Sequence, residues 1–154
     1  MKLRAACLTL FASVAVFGTA AMAAPMPCMG GLGPALVAGG FSGSIDCKRD
    51  KLSLRFVGKV RKFGRTFSIY AQRYRLKPVC PECAVHGGQR IIFMERGRYA
   101  GHYRADSTTL LVRKGNVILA STGVAYAKPA IVGFSAKGPA TRQWDGAEVL
   151  EFVR

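Results

Sequence analysis

The sequence predicts an all-β fold, a small antiparallel barrel or sandwich of about eight strands that follows a cleaved signal peptide. Three observations carry the prediction. Apolar residues recur with a period of two through most of residues 41–154, glycine-containing turns interrupt them at short intervals, and no amphipathic helical pattern of about ten or more residues follows residue 23.

The first segment is read as a targeting signal. Lys2 and Arg4 precede an uncharged run from Ala5 to Ala23, and Ala21-Met22-Ala23 supplies the small residues a signal peptidase requires. Residues 1–23 are therefore expected to be removed, leaving a chain that starts at Ala24 in the periplasm or outside the cell. Met26-Pro27 before Cys28 is not the small-residue approach to a lipidated cysteine. No later apolar run is long enough to span a bilayer, so no transmembrane segment is expected in the mature chain. Residues 24–40, rich in Gly, Pro, Ala and Met without a sustained period, are expected to form a flexible arm held by Cys28. Residues 41–154 are expected to form one β-rich domain.

Within that domain Leu52, Leu54 and Phe56 alternate with Ser53 and Arg55, the pattern of a half-buried strand. Phe67, Ile69 and Ala71 alternate with Ser68, Tyr70 and Gln72, and Phe63-Gly64 offers a turn between the two segments. Phe56 and Phe67 are assigned to the core. Pro78, Pro81 and Gly87-Gly88 mark a loop over 77–88. A strand over Ile91-Ile92-Phe93-Met94 then turns at Arg96-Gly97 into a partner over 98–104. A second hairpin pairs 109–113 with 117–120 across Lys114-Gly115-Asn116. Further strands are expected at 130–135 and 147–153, separated by Lys137-Gly138-Pro139 and Asp145-Gly146.

The chain is strongly basic, with a formal charge of +15 at pH 7; removing Lys2 and Arg4 with the leader leaves +13. Such an excess favours anionic partners: lipopolysaccharide, cell-wall polymers, lipid headgroups or nucleic acid. The excess is local. Residues 48–77 hold Lys48, Arg49, Lys51, Arg55, Lys59, Arg61, Lys62, Arg65, Arg73, Arg75 and Lys77 against Asp50 alone. Cys7 leaves with the leader, and Cys28, Cys47, Cys80 and Cys83 remain, an even number in an oxidising compartment, which predicts two disulfides. Three pairings are open to four cysteines. The expectation leans to bonds from Cys80 and Cys83 back to Cys28 and Cys47, because closing a longer loop removes more entropy from the unfolded chain.

Catalytic constellations are weak. Cys80-Pro81-Glu82-Cys83 has the spacing of a dithiol redox site, but Ala84 to Gly88 leads into another strand instead of the helix that would stabilise a thiolate. Cys80, Cys83 and His86, with His102 or Cys47 as a fourth donor, make only half of a zinc site by spacing, and disulfide formation competes for the same sulfurs. Ala84 after Cys83 is not the histidine of a covalent haem motif. His102, in Tyr99-Ala100-Gly101-His102-Tyr103, is expected to face away from both tyrosines on a strand. The carboxylates Glu82, Glu95, Asp106, Asp145, Glu148 and Glu151 fall mostly at turns or on the last strand.

The strongest functional signal is the basic hairpin. Lys59, Arg61, Lys62, Arg65, Arg73 and Arg75 interleave with Phe63, Tyr70 and Tyr74, a combination in which cations neutralise phosphates and aromatic faces stack on rings, and the six cations with Tyr70 and Tyr74 are the candidate contacts. The expected function is that of an exported, non-enzymatic envelope domain, without cofactor or metal, that binds an anionic polymer or surface. The alternatives are a small periplasmic redox or metal-binding protein using Cys80 and Cys83, and a structural or inhibitory module whose partner is another protein.

Overall fold

The structure is a computed structural model that describes residues 27–41, 43, 47–48, 51–78 and 80–154. The expected leader and its cleavage site lie outside the described residues. Among those described, eleven strands form three antiparallel sheets, none closed into a barrel. The strand count exceeds the expected eight because several pairings are only two or three residues long and leave no periodicity to read.

Strands β1 (Lys51–Lys62), β2 (Arg65–Arg75), β3 (Gly87–Glu95) and β4 (Arg98–Arg104) form a meander. The second sheet contains β5 (Thr108–Arg113), β6 (Asn116–Ser121) and β7 (Ala130–Ile131). A two-stranded ribbon of β8 (Phe134–Ser135) and β9 (Gly138–Pro139) follows, so the single strand expected at 130–135 is split in two. Finally β10 (Arg142–Trp144) and β11 (Val149–Val153) return to the edge of the meander, giving the order β1-β2-β3-β4-β11-β10.

Three hairpins share one kind of turn. Phe63-Gly64, Arg96-Gly97 and Lys114-Gly115 each have positive φ at both central residues, the two-residue geometry whose twist matches that of the flanking strands. Asn116, expected in the last turn, is the first residue of β6.

The uninterrupted run Ile91 to Met94 has a simple cause: both faces of β3 are covered. On one face Phe67, Ile69, Ile91, Phe93 and Tyr103 pack against Leu110, Val117 and Leu119 from the second sheet and Val132 just after it. Phe93 is the hub, in edge contact with Phe67, Tyr103, Phe134 and Phe152. On the other face Ile92 and Met94 meet the N-terminal segment. There a 3-10 helix (Pro27–Leu32) and α1 (Gly33–Ala38) seat Met29 and Leu36 with no exposed surface, so this part of the expected flexible arm is packed. Full burial of such side chains stabilises by about 1.5–3 kcal/mol each, and the Cys28–Cys47 disulfide staples the segment covalently.

The second disulfide joins Cys80 to Cys83, so the expected long-range pairing is corrected. Leu76 N–H donates to the His86 carbonyl at 2.7 Å and Cys83 N–H to the Cys80 carbonyl at 3.2 Å, local contacts that bring Cys80 and Cys83 to each other. Loop-closure entropy rewards distant pairings only where the native chain brings the sulfurs together.

Two bulges accompany two further corrections. Pairing shifts between Phe56 and Gly58, which moves Val60 to the face of the second sheet while Leu52 and Leu54 lie under the arm; Phe56, beyond the arm's reach, is 51% exposed and not in the core. Pairing shifts again opposite Phe93 and Met94, so that Tyr99 and His102 share a face; the Tyr99 hydroxyl lies 2.5 Å from His102 Nδ1. Gly101 sits in this bulge at φ +139, and a Cβ there would lie 2.3 Å from the Phe152 ring. Gly101→Ala is expected to lower stability by roughly 1–3 kcal/mol through strain and overpacking, read as a shift of the urea midpoint.

His102 is fully buried against Phe41, and its Nε2 meets no hydrogen-bond partner among the described residues. Burial, reinforced by the positive charges of Arg90 and Arg104, lowers its pKa from 6.5 to about 4. The unfolded chain therefore takes up the proton first, and stability falls as the pH drops through the window from 6.5 towards 4, by about 1.4 kcal/mol per unit at most. Urea titrations at pH 7 and pH 5 should show this loss in the native sequence and a smaller one in His102→Phe; equal losses would contradict it.

Candidate functional site

The long β1–β2 hairpin has two ends, and its cations are divided between them. Lys62 pairs with Arg65 across the turn, whereas Lys51 pairs with Arg75 at the open end, roughly 35 Å away at strand rise. Lys59 and Arg61 are exposed near the turn, opposite Ser68 and Thr66. At the open end Arg73 donates to Gln89 Oε1 at 2.8 Å. Tyr70 tilts against Phe56, centroids 5.3 Å apart. One face of Tyr74 is covered by the Arg90 guanidinium, 4.2 Å from the ring centroid. The eight candidate contacts thus do not converge on one surface.

What converges instead is the turn end of the whole molecule. Lys62 Nζ donates to Asn116 Oδ1 at 2.8 Å, which places the Phe63-Gly64 turn beside Lys114-Gly115. Arg65 joins three segments: Nε donates to Glu95 Oε1 at 2.7 Å, Nη2 to Glu95 Oε2, and Nη1 to the Ala136 carbonyl at 2.9 Å. Arg154 Nη2 donates to the neighbouring Lys137 carbonyl at 3.3 Å. The β1–β2, β3–β4, β5–β6 and β8–β9 turns and the last residue of the chain therefore meet at one end.

That end gathers Arg61, Lys62, Arg65, Arg96, Arg98, Arg113, Lys114, Lys137 and Arg154, with Glu95 as the only acidic side chain that these contacts bring there among the described residues. Glu95 is already engaged: the hydrogen bonds from Arg65 hold its carboxyl below the usual range, and the same contact raises Arg65. Between the turns lies a cleft of about 600 Å³ lined by Arg65, Glu95, Arg96, Arg98, Lys137 and Arg154, with Tyr99, Ala100, Pro139 and Phe152 as its apolar wall. Phe63 projects at the adjacent turn, 66% exposed.

The opposite end carries acidic groups among its cations. Asp106 accepts from Gln89 N–H at 2.8 Å. Burial of Asp145 raises its pKa, but donors from Glu148 N–H, Ala147 N–H and the Thr108 hydroxyl outweigh that and hold it low. The molecule is electrically polarised along its strands.

Sequence reading missed Arg96, Arg98, Lys137 and Arg154. The first three lie in or beside glycine-containing turns that were themselves legible, so a cation at each turn was the available signal. Cys80 and Cys83 are bonded to each other, which removes free thiolates from a metal or redox role in this oxidised state. Among the described residues no cluster of three His, Cys, Asp or Glu could hold a metal ion, and no helix is long and apolar enough to cross a membrane. Compared with known proteins, the chain has no significant match to a family model, a curated protein or a solved structure.

Because the Arg65–Glu95 pair also anchors the turn bearing Lys137, Glu95→Gln is expected to cost about 1–3 kcal/mol through loss of a charge-assisted contact. The accompanying sign is faster amide exchange at Lys137; an unchanged urea midpoint and unchanged exchange would contradict the anchoring role.

Proposed function

We propose that this chain is an exported, non-enzymatic domain of the bacterial envelope that binds an anionic polymer or surface through the turn end of its sheets. The observation that carries the reading is the convergence of cations from five separate stretches of chain at one end, four of which line one cleft, with Glu95, the one carboxylate that these contacts bring there among the described residues, paired internally. Gathering like charges costs free energy in the isolated protein, and an anionic ligand releases that cost along with its own counterions. Phe63 adds an exposed ring for sugar or base contact. Export is supported by the leader pattern of residues 1–23 and by two disulfides suited to an oxidising compartment.

The reading assigns the main contact to the turn end and a lesser role to Arg73 and Arg75. Titrations against polyphosphate, lipopolysaccharide and single-stranded DNA at several salt concentrations test it. The doubly neutralised Arg96→Asn, Arg98→Gln protein, with Asn chosen for its tolerance of positive φ, should bind about tenfold or more weakly and lose roughly two units of salt slope. Arg73→Gln with Arg75→Gln should change both far less. Absence of affinity at low salt for all three ligands, or equal losses in the two variants, would overturn the proposal.

A further inference from the structure

Resting on that reading, we infer that the cleft at the turn end is a binding site for a terminal phosphate, a phosphomonoester carried on a sugar-sized body, and not merely one stretch of a continuous polyanion track. Three features carry the inference.

The first is charge. Arg96, Arg98, Lys137 and Arg154 bring four cations to the cleft from three stretches of chain, and Glu95, the carboxylate in its wall, is taken up by Arg65. Within the described residues the side chains of Arg96, Arg98 and Lys137 donate no hydrogen bond, so their donors are free for a ligand. An internal phosphodiester offers a single negative charge to these groups. A phosphomonoester carries close to two at neutral pH and three terminal acceptor oxygens, which suits several convergent donors.

The second is preorganisation. The turn that presents Lys137 is held by two guanidiniums, Arg65 on the Ala136 carbonyl and Arg154 on the Lys137 carbonyl, so little ordering remains to be done on binding. Arg96 sits at φ +48 inside a two-residue turn, which fixes where its side chain leaves the backbone.

The third is shape. About 600 Å³ is far more than a lone ion needs and lies in the range of small-ligand sites. Phe152 and Pro139 give the cleft an apolar wall against which the body of a sugar can lie.

The test is calorimetric titration of the oxidised protein at pH 7.5 with glucose 6-phosphate, with its methyl phosphodiester, and with inorganic phosphate. Vesicles of phosphatidylcholine containing either phosphatidic acid or phosphatidylglycerol extend it to lipid-borne phosphate. The expected result is at least a tenfold preference for glucose 6-phosphate over the diester and over inorganic phosphate, lost in Lys137→Gln with Arg154→Gln. A matching preference for phosphatidic acid over phosphatidylglycerol assigns the phosphate to a lipid headgroup as well; binding of the sugar phosphate without the vesicles restricts the source to soluble glycans, and both outcomes support the site. Equal affinity for monoester and diester, or a preference that survives the double substitution, overturns the inference. If polyphosphate still binds through Arg96 and Arg98 in that case, the broader polyanion reading stands; if no polyanion binds at all, that reading falls too.

Discussion

A two-residue turn with both central residues at positive φ sets the pairing of the strand ends that flank it, and this constraint determines where the molecule's charge lies. Three such turns, at Phe63-Gly64, Arg96-Gly97 and Lys114-Gly115, fix the pairing of the residues beside them, Lys62 with Arg65, Glu95 with Arg98 and Arg113 with Asn116, before the bulges in β1–β2 and β3–β4 shift the register farther along. The layering of the sheets then brings all three to the same end, where Lys62 reaches Asn116 and Arg65 reaches both Glu95 and Ala136. Cations that are scattered in sequence become neighbours without any charge having to be buried.

The fold tolerates this concentration because its cohesion lies elsewhere. Strand β3 is covered on both faces, by the second sheet through Phe93 and by the N-terminal helices through Ile92 and Met94. The one deeply placed cation among the described residues, Arg90, lies between the rings of Tyr74 and Phe41 and donates to Gln72 at 3.3 Å, so its charge is met by aromatic faces and an amide oxygen. Its pKa is lowered, chiefly by burial. The turn-end cations keep access to water and remain available to a ligand.

Much of the fold was legible in the sequence because strands and turns are local. The alternation over Phe67 to Gln72, the glycine turns and the run Ile91 to Met94 each predict an element close to the one observed. Phe56 was misplaced because the arm that covers Leu52 and Leu54 does not reach it, and His102 was set apart from Tyr99 because a bulge reverses the alternation between them, which only Gly101 hints at in the sequence. The disulfide pairing was misjudged because entropy in the unfolded chain says nothing about which sulfurs the folded chain brings together. The candidate site was half legible for the same reason: the charge run over 48–77 is visible, but the strand carries its members to opposite ends. The partners that complete the turn-end cluster, Arg96, Arg98, Lys137 and Arg154, come from places that only the tertiary fold connects.

The central claim is a statement about location, and backbone amide chemical-shift mapping during titration with polyphosphate tests it most directly. The account predicts shifts concentrated at Arg96 to Arg98, Lys114, Lys137 and Arg154, with Lys51 and Arg73 to Arg75 nearly still. Shifts centred on the open end of the β1–β2 hairpin, or spread evenly over all the cations, would contradict it.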